Sequence, residues 1–295
     1  MEDWELRQKQ SLPLSAKIIL SKMRIRQFYD YYNGEIYVSF SGGKDSNVLL
    51  DIVRQEYPNV PAVFIDTGLE YPEIREFVKT IKNVTWVKPA MNFKDVLEKY
   101  GYPLVSKEQA QCIKEVQKGM TEYMESKRRG KVLGRNGRPV GAVSKKWQYL
   151  MDQKDIMISE KCCDVMKKRP AHAYEKETKR HPVIGTMAED SRLRRQSLQK
   201  YGCNGFDMKN PHSRPISIWL EKDVWEYTKT KNLPYSKIYD MGYPRTGCMF
   251  CMFGVHLEKE PNRFQLMQKT HPKLYDYCME KLGCRKALEL LKVNH

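Results

Sequence analysis

Short apolar runs alternate with amphipathic segments in the first third of the chain. Residues 35–40, 60–65 and 84–88 are rich in β-branched and aromatic residues and are bounded by turn residues, a pattern typical of buried strands. Residues 47–55 and 73–82 lie between these runs and place apolar side chains at helical spacing. Strands and helices alternating in this way predict an α/β fold with a doubly wound, mostly parallel sheet and helices on both faces.

The segments outside this alternation predict helical extensions at both ends. Residues 12–32 have roughly helical apolar spacing and precede the first strand, and residues 181–186 have the pattern of a further strand. The C-terminal residues are basic and helical in pattern. We therefore expect a helical N-terminal extension at 1–33, an α/β domain at 34–230 with a basic insertion at 106–160, and a cysteine-containing C-terminal extension at 231–295.

The chain has 295 residues, 41% of them hydrophobic, which is enough for one substantial α/β domain with extensions. No apolar run has the length of a membrane span, and the first residues lack the apolar core of a signal peptide. We therefore expect a cytoplasmic protein without a membrane partner.

Positive charge is in excess over the whole chain and is clustered in the insertion. The chain has 52 Lys and Arg residues against 36 Asp and Glu, a net charge of +16. This balance favours a polyanionic partner, above all nucleic acid, although a basic surface can also serve solubility alone. Residues 127–131 and 135–139 of the insertion cluster cations around glycines. These clusters fit a phosphate-backbone contact or a lid that orders on binding, and equally a solvated loop.

A glycine turn that carries a lysine follows the first predicted strand, with the sequence Ser41-Gly42-Gly43-Lys44-Asp45-Ser46. The glycines let backbone N–H groups approach an anion, and Ser46 with the start of the next helix adds donors. Lys44 supplies a point charge, and Asp45 could hold a divalent metal ion over phosphates. Glycine pairs also form ordinary tight turns, but glycine, lysine, carboxylate and hydroxyl together between a strand and a helix are more specific for phosphate. The four-residue spacer of the common nucleotide triphosphatase loop is missing.

Polar residues also follow two other predicted strands. Ligands of open α/β sheets bind at the carboxyl ends of strands, so these residues should face the same crevice as the glycine turn. An Asp-Thr-Gly sequence can also be a simple turn, and charged residues after a strand can simply cover a helix face. The candidates are Asp66 and Thr67 after the strand at 60–65, and Ser191, Arg192 and Arg194 after the strand at 181–186.

The glycine turn resembles the pyrophosphate loop of the adenine nucleotide alpha-hydrolase-like enzymes, whose members bind ATP or an adenylyl sulfate. The stretch at 64–73, Phe-Ile-Asp-Thr-Gly-Leu-Glu-Tyr-Pro-Glu, is similar to the second motif of the phosphoadenosine phosphosulfate reductase family. The stretch at 185–194 resembles the substrate-binding segment of that family. The resemblance implies an adenine nucleotide held by the turn together with Asp66, Thr67, Gly185, Ser191, Arg192 and Arg194.

Four of the eight cysteines have the spacing of metal ligands. Cys248 and Cys251 form a C-x-x-C pair, and the adjacent Cys162 and Cys163 lie far upstream. A C-x-x-C pair alone fits zinc, redox chemistry or chance, and adjacent cysteines are often simple packing. Together the four suffice for zinc or an iron–sulfur cluster. Adjacent cysteines favour a [4Fe–4S] cubane, because neighbouring thiolates can reach its separate iron corners.

The sequence around these cysteines is similar to the paired motifs of assimilatory adenosine phosphosulfate reductases. The matching blocks are Lys161-Cys162-Cys163, followed by Lys167, Lys168 and Pro170, and the segment 242–251. In that family the tandem cysteines and the C-x-x-C pair ligate a [4Fe–4S] cluster beside the sulfonucleotide. The resemblance implies Lys161 as the cation that tunes the cluster and, as ligands, Cys162, Cys163, Cys248 and Cys251.

The chain departs from those reductases in two ways. They use a nucleophilic cysteine in a Glu-Cys-Gly-Leu-His tail, whereas Cys284 lies in Leu-Gly-Cys-Arg-Lys. Arg285 could favour its thiolate, but an ordinary helix cysteine is the competing interpretation. They also carry a degraded loop, whereas this chain keeps the complete Ser-Gly-Gly-Lys-Asp-Ser sequence. The intact loop implies attack of a substrate oxygen on the α-phosphate of ATP, with Lys44, Asp45 and Mg²⁺ at the departing pyrophosphate.

Three functions fit these features. The preferred one is an ATP-dependent, [4Fe–4S]-containing sulfurtransferase that adenylates and thiolates a nucleic acid, tRNA or DNA, with a separate protein as sulfur or electron donor. Iron–sulfur members similar to this chain act on nucleic acids, which agrees with its positive charge. The first alternative is a sulfonucleotide reductase that releases sulfite, with Cys284 or Cys278 as nucleophile. The second is a nucleic-acid-binding accessory protein that keeps the nucleotide site without turnover.

Overall fold

Six strands form one sheet in the order β3-β2-β1-β4-β6-β5. The computed structural model describes residues 1–295. All neighbouring strands are parallel except β5 and β6, which pair antiparallel at one edge. The strands are β1 Ile36–Ser39, β2 Ala62–Ile65, β3 Val84–Val87, β4 His181–Ile184, β5 Asn204–Gly205 and β6 His212–Ser213.

The predicted α/β class and the mostly parallel sheet are confirmed. Each of the four predicted strands is present and ends within a few residues of its apolar run, since a strand covered on both faces needs apolar residues at every position. β5 and β6 have two residues each and no apolar run, and for that reason the hydrophobic pattern did not predict them.

The chain folds into two units. The first comprises Met1–Asp66, Tyr71–Lys88 and Pro170–Thr246, and the second Thr67–Glu70, Pro89–Arg169 and Gly247–His295. The longest helix, α2, has 18 residues. No helix has the combination of length and apolar character needed to cross a membrane.

The α-helices are α1 Asp3–Gln10, α2 Leu14–Tyr31, α3 Lys44–Glu56, α4 Pro72–Thr80, α5 Phe93–Tyr100, α6 Lys107–Gln117, α7 Glu122–Arg128, α8 Arg169–Thr178, α9 Arg192–Tyr201, α10 Glu221–Thr230, α11 Arg263–Thr270, α12 Pro272–Asp276 and α13 Cys284–Leu290. Short 3₁₀ helices lie at Lys145–Asp152, Ala188–Asp190, Lys237–Tyr239 and Val255–Leu257. π-helical turns lie at Asp164–Lys168 and Tyr277–Lys281.

The N-terminal helices belong to the first unit, and the boundaries at 33 and 230 stay a prediction. Lys17 of α2 is fully buried and its ammonium lies 2.5 Å from Asp223 of α10. Ser21 donates to the Pro215 carbonyl at 3.1 Å and accepts from Trp219 Nε1 at 3.0 Å. A buried charge needs a buried partner, and here the partner comes from a distant helix. Residues 231–246 also belong to the first unit.

The basic insertion at 106–160 contains helices and buried side chains and is not a solvated loop throughout. It contains α6, α7 and the 3₁₀ helix Lys145–Asp152. These elements bury Ile113, Trp147 and Leu150, each at most 5% exposed. Its charged residues therefore cover an apolar interior of its own.

Candidate active site

The loop at residues 41–46, called the glycine loop below, connects the carboxyl end of β1 to α3. β1 lies between β2 and β4, so the direction of strand order reverses at this point. Ligands of open α/β sheets bind at such a switch point. The topology thus places the predicted phosphate cradle where a ligand is expected.

The glycine loop requires its first glycine and is held by its own hydroxyl groups. Gly42 has φ +73°, and a Cβ there would lie 2.7 Å from Val78 Cγ2. Ser46 Oγ accepts from Ser41 N–H at 3.2 Å and donates to the Gly43 carbonyl at 2.9 Å. Ser41 and Ser46 are therefore used in holding the loop, whose shape is fixed within the protein itself.

The Lys44 ammonium is the buried cation of the glycine loop. Its side chain is 5% exposed, and its Nζ lies 3.4 Å from Asp45 Oδ1 and 3.3 Å from Glu221 Oε1. Burial acts to lower the pKa of Lys44, but the charges of Asp45, Tyr239 and Glu221 outweigh it and the pKa is raised. Lys44 is therefore charged at neutral pH, as an electrophile for phosphate must be.

Two side chains from later in the chain close around the start of α3. The Tyr239 hydroxyl accepts a hydrogen bond from Lys44 N–H at 2.8 Å and lies 3.3 Å from Thr246 Oγ1. A Cβ at Gly43 would lie 2.7 Å from the same Thr246 oxygen. Gly43 is thus needed for close approach rather than for its backbone angles. Sequence reasoning missed Tyr239, because no motif marks it.

We expect Gly43→Ala to lower the free energy of unfolding by about 1–3 kcal/mol, because the added methyl group overlaps Thr246 Oγ1. In a Thr246→Ala background the same substitution should cost less, because the overlapping oxygen is gone. Chemical denaturation of the four proteins of this double-mutant cycle should give a coupling of about 0.5–3 kcal/mol. Purely additive effects would contradict this packing.

Two carboxylates near the glycine loop form a candidate Mg²⁺ site. Asp45 Oδ1 is buried, and the cation beside it is the Lys44 ammonium at 3.4 Å. Burial raises the pKa of Asp45, which the charge of Lys44 opposes and the charge of Asp190 supports. Asp190 accepts from Met187 N–H at 3.0 Å and pairs with Arg245 at 3.3 Å. A buried carboxylate oxygen on which the charge of a second carboxylate acts is of the ligand type that a hard divalent cation takes. The sequence analysis had proposed Asp45 alone.

Gly185 follows β4 and packs directly on the glycine loop. A Cβ at this position would lie 3.0 Å from the Asp45 carbonyl oxygen and 3.1 Å from Ser46 Cα. Both neighbours are backbone atoms, so a larger residue would displace the loop. The structure therefore brings this predicted nucleotide-binding glycine to the cradle.

The predicted anion ligands after β4 are used in different ways. Ser191 caps α9, because its Oγ accepts from Arg194 N–H at 3.3 Å. The Arg194 side chain forms an ion pair with Asp190, the carboxylate that acts on Asp45. Arg192 is exposed. Of the three residues, Arg194 is thus the one connected to the glycine loop, because it pairs with Asp190 and the charge of Asp190 acts on Asp45.

Asp66 and Thr67 follow β2 and belong to different units. Asp66 is 5% exposed and pairs with Arg75 at 2.9 Å. Thr67 forms a turn with Glu70. Its N–H donates to Glu70 Oε2 at 3.0 Å, and its hydroxyl donates to Glu70 Oε1 at 2.8 Å. Leu69 N–H closes the turn on Thr67 Oγ1 at 3.1 Å. Their role in nucleotide binding stays a prediction.

The four predicted ligand cysteines, called the cysteine group below, all lie in the second unit. Burial raises the pKa of Cys162, and the charges of Cys248, Cys163 and Cys251 raise it further. Charges that raise the pKa of one thiol belong to nearby side chains. The fold therefore brings the adjacent cysteines and the C-x-x-C pair together. Cys251 N–H donates to the Cys248 carbonyl at 3.1 Å, which forms the turn of the C-x-x-C pair.

Lys167 is the ammonium in contact with the cysteine group. Burial raises the pKa of Cys248 to about 11, although the charge of Lys167 and its hydrogen bond to this thiol oppose the rise. Lys167 also lies 3.9 Å from Glu70 Oε1. Lys161, the predicted tuning cation, pairs with Glu160 at 3.8 Å.

The cysteine group fits a [4Fe–4S] cluster by its chemistry, since four thiols form the usual donor set of a cubane. No three His, Cys, Asp or Glu side chains converge as the ligands of one metal ion would. A cubane instead takes one thiolate at each iron. Lys167 would offset part of the negative charge that four thiolates carry.

Cys278 and Cys284 form a separate, fully buried pair in the second unit. A hydrogen bond with Cys284 and burial raise the pKa of Cys278. Cys284 Sγ donates to the Leu282 carbonyl at 3.9 Å. This burial does not present Cys284 to a substrate, and its role as a nucleophile stays a prediction.

Comparison with known proteins agrees with the sequence motifs. The family model described as the phosphoadenosine phosphosulfate reductase domain matches residues 35–104 and 104–253. An adenosine 5'-phosphosulfate reductase of Lysinibacillus sphaericus is 24% identical over 238 residues, which cover 77% of this chain and 77% of that enzyme.

Two solved structures align with most of the chain. A phosphoadenylyl-sulfate reductase from Candida auris, in a phosphate complex, aligns with a TM-score of 0.46 and 15% identity over 84% of this chain and 96% of that one. The U34-tRNA thiolase NcsA from Methanococcus maripaludis, with its [4Fe–4S] cluster, aligns with a TM-score of 0.39 and 15% identity over 95% of this chain and 82% of that one.

Proposed function

The chain belongs to the phosphoadenosine phosphosulfate reductase family, and we propose that it is an ATP-dependent sulfurtransferase that adenylates and then thiolates a nucleic acid. Named relatives in this family are enzymes that act on adenylyl sulfates. In this proposal ATP takes the place of the sulfonucleotide. The nucleic-acid acceptor is supported by the net charge of +16.

The observation that carries the proposal is the complete, closed glycine loop with a buried ammonium. The loop is held by Ser46, and Lys44 is 5% exposed between two carboxylates. An enzyme that only reduces a sulfonucleotide has no pyrophosphate to stabilise. A preorganised cation and aligned N–H groups are the devices that stabilise such a leaving group.

The proposed reaction has two steps. A carbonyl or phosphate oxygen of the acceptor attacks the α-phosphorus of ATP, the bond to the β-phosphate breaks, and pyrophosphate leaves with that electron pair. The Lys44 ammonium and the positive end of the α3 dipole stabilise the negative charge on pyrophosphate. A sulfur donor protein then supplies sulfur at the level of hydrosulfide, which forms the new bond as AMP leaves.

Two groups that the proposal requires have candidate holders. Asp45 and Asp190 would hold Mg²⁺, which neutralises phosphate charge when bound. Cys162, Cys163, Cys248 and Cys251 would hold a [4Fe–4S] cluster, which supplies iron for redox or sulfur chemistry when bound. Lys167 donates to Cys248 and would lower the electrostatic cost of an added electron.

We expect Lys167→Gln to leave the iron content unchanged but to make the reduction potential of the cluster more negative, because a nearby positive charge is lost. Lys161→Gln serves as the matched control, since its ammonium pairs with Glu160. Redox titration followed by paramagnetic resonance measures both variants. A larger shift for Lys161→Gln would favour the tuning cation that the sequence resemblance implied.

The experiment that tests the function is pyrophosphate release from ATP. The purified protein, prepared without oxygen, is mixed with Mg²⁺-ATP and with tRNA or DNA in separate reactions. Release that depends on the nucleic acid supports adenylation, and sulfur incorporation after a donor is added supports thiolation. ATP left intact with both acceptors would refute the proposal and would favour the accessory protein without turnover.

Sulfonucleotide reduction is the second candidate, and the relatives named adenosine 5'-phosphosulfate reductase favour it. It predicts thiol-dependent sulfite release from adenosine 5'-phosphosulfate that is lost in Cys284→Ser. The complete burial of Cys284 and Cys278 argues against this route. Sulfite release by the wild type without any pyrophosphate release from ATP would establish it over the sulfurtransferase.

A further inference from the structure

Residues 131–140 of the second unit fold back on themselves around one antiparallel bridge between Leu133 and Pro139, and this segment is called the basic hairpin below. Gly134 N–H donates to the Arg138 carbonyl at 2.9 Å, and Val140 N–H donates to the Val132 carbonyl at 3.2 Å. The turn of the hairpin contains Gly137, which has φ +70°. The segment thus has a defined shape rather than being an irregular loop.

The base of the basic hairpin is fixed by arginines that are already paired. Arg128 lies 2.6 Å from Glu115 and donates to the Gly141 carbonyl at 2.7 Å. Arg129 pairs with Glu125 at 2.8 Å and with Asp152 at 2.7 Å. These cations of the cluster at 127–131 therefore hold the insertion together, and their charge is largely neutralised.

The cations of the basic hairpin itself are different. Lys131, Arg135 and Arg138 are exposed and have no carboxylate partner. Arg135 and Arg138 both lie in the turn, on either side of Asn136 and Gly137. Asn136 Oδ1 accepts from Arg138 N–H at 3.1 Å, which fixes the turn. The basic hairpin therefore carries unpaired positive charge on both sides of its turn.

Apolar side chains of the basic hairpin are also exposed. Leu133 is 60% exposed and Val140 is 45% exposed, although the bridge to Pro139 and the hydrogen bond from Val140 N–H fix the backbone at both positions. Exposed aliphatic groups beside arginines are a combination found where proteins enter a groove of a nucleic acid.

We propose that the basic hairpin enters a groove of a duplex region in the nucleic-acid acceptor. A tight hairpin turn is narrow enough for a groove, and cations on both sides of the turn match the two phosphate strands that border it. This inference rests on the proposed function for the class of acceptor and adds the element that binds it. Duplex DNA and a stem of RNA both offer such a groove between two phosphate strands.

The test is fluorescence anisotropy with a labelled DNA duplex and a labelled RNA stem-loop over a range of salt concentrations. The variant is Arg135→Ala/Arg138→Ala. For duplex DNA, the slope of log affinity against log salt should fall in magnitude by about 1.8, because each lost phosphate contact removes about 0.9. The RNA arm shows which duplex is the better ligand.

The matched control is Lys79→Ala/Lys82→Ala, which removes the same charge from exposed positions of the first unit. Its slope should stay near that of the wild type, and thermal unfolding should show that both variants fold. Equal slopes for the two variants would overturn the hairpin as the contact while leaving the acceptor class intact. The hairpin contact and the nucleic-acid acceptor would both be overturned if the wild type bound neither nucleic acid. The same holds if it bound poly-glutamate as tightly as it binds nucleic acid. Pyrophosphate release is measured separately and tests adenylation alone.

Discussion

Replacing Lys44 with methionine should lower the rate of pyrophosphate release by about two to three orders of magnitude, the usual effect of removing one preorganised group that stabilises charge in the transition state. The ammonium is 5% exposed and lies in the first turn of α3, and no second lysine of the glycine loop can replace it. Methionine keeps the length and flexibility of the side chain, so that the change is mainly one of charge. Initial rates at saturating ATP and acceptor measure the effect.

The matched control for Lys44→Met is Lys79→Met, which removes an exposed lysine of α4 and should leave the rate unchanged. Thermal unfolding of both variants separates loss of chemistry from loss of fold. Because the pKa of Lys44 is raised, deprotonation of this group should not limit the wild-type rate between pH 7 and about 9. A Lys44→Met enzyme that releases pyrophosphate at the wild-type rate would remove the glycine loop from the mechanism.

Features carried by adjacent residues could be predicted from the sequence. The strands follow from continuous apolar runs, and the glycine loop from six neighbouring residues at the end of one of them. The need for Gly42 follows from its left-handed backbone, which glycine adopts at little cost. Local order of this kind is set within a few residues, so the sequence pattern retains it.

Features that depend on distant partners could not be predicted. Tyr239 reaches Lys44 N–H, and Asp190 acts on Asp45, only because the fold brings segments that are far apart in the sequence together. Lys17 has the appearance of a surface residue in the sequence, yet it is buried against Asp223. Such pairs leave no periodic pattern in the sequence, because each partner sits in a segment with its own spacing.

The cysteine group combines a feature that the sequence predicts with one that it does not. Its ligands could be proposed from spacing and resemblance, whereas the cation beside them was assigned to Lys161, the nearest in sequence. Lys167 follows Cys163 by one turn of the helical segment that begins there, and side chains at that separation share a face. Helical geometry therefore explains why the contact with Cys248 comes from Lys167.

Replacing any one cysteine of the cysteine group with serine should remove most of the iron from protein prepared without oxygen. The wild type should hold about four iron and four sulfide ions per chain, with the broad visible absorbance of a [4Fe–4S] cluster. Each ligand would bind a different iron, so the loss of one thiolate leaves an iron corner open and the cluster labile. Metal analysis, visible spectra and paramagnetic resonance of the reduced protein measure the outcome.

The chain supplies matched controls for this prediction in Cys112→Ser and Cys203→Ser. Neither thiol is among the charges that act on Cys162, and burial raises the pKa of both. Both variants should keep the iron content of the wild type, as should Cys284→Ser, whose thiol contacts Cys278 instead. If all four serine variants of the cysteine group kept the full iron content, these thiols would be excluded as ligands. If the wild type bound one zinc ion and no iron, the cubane would be excluded.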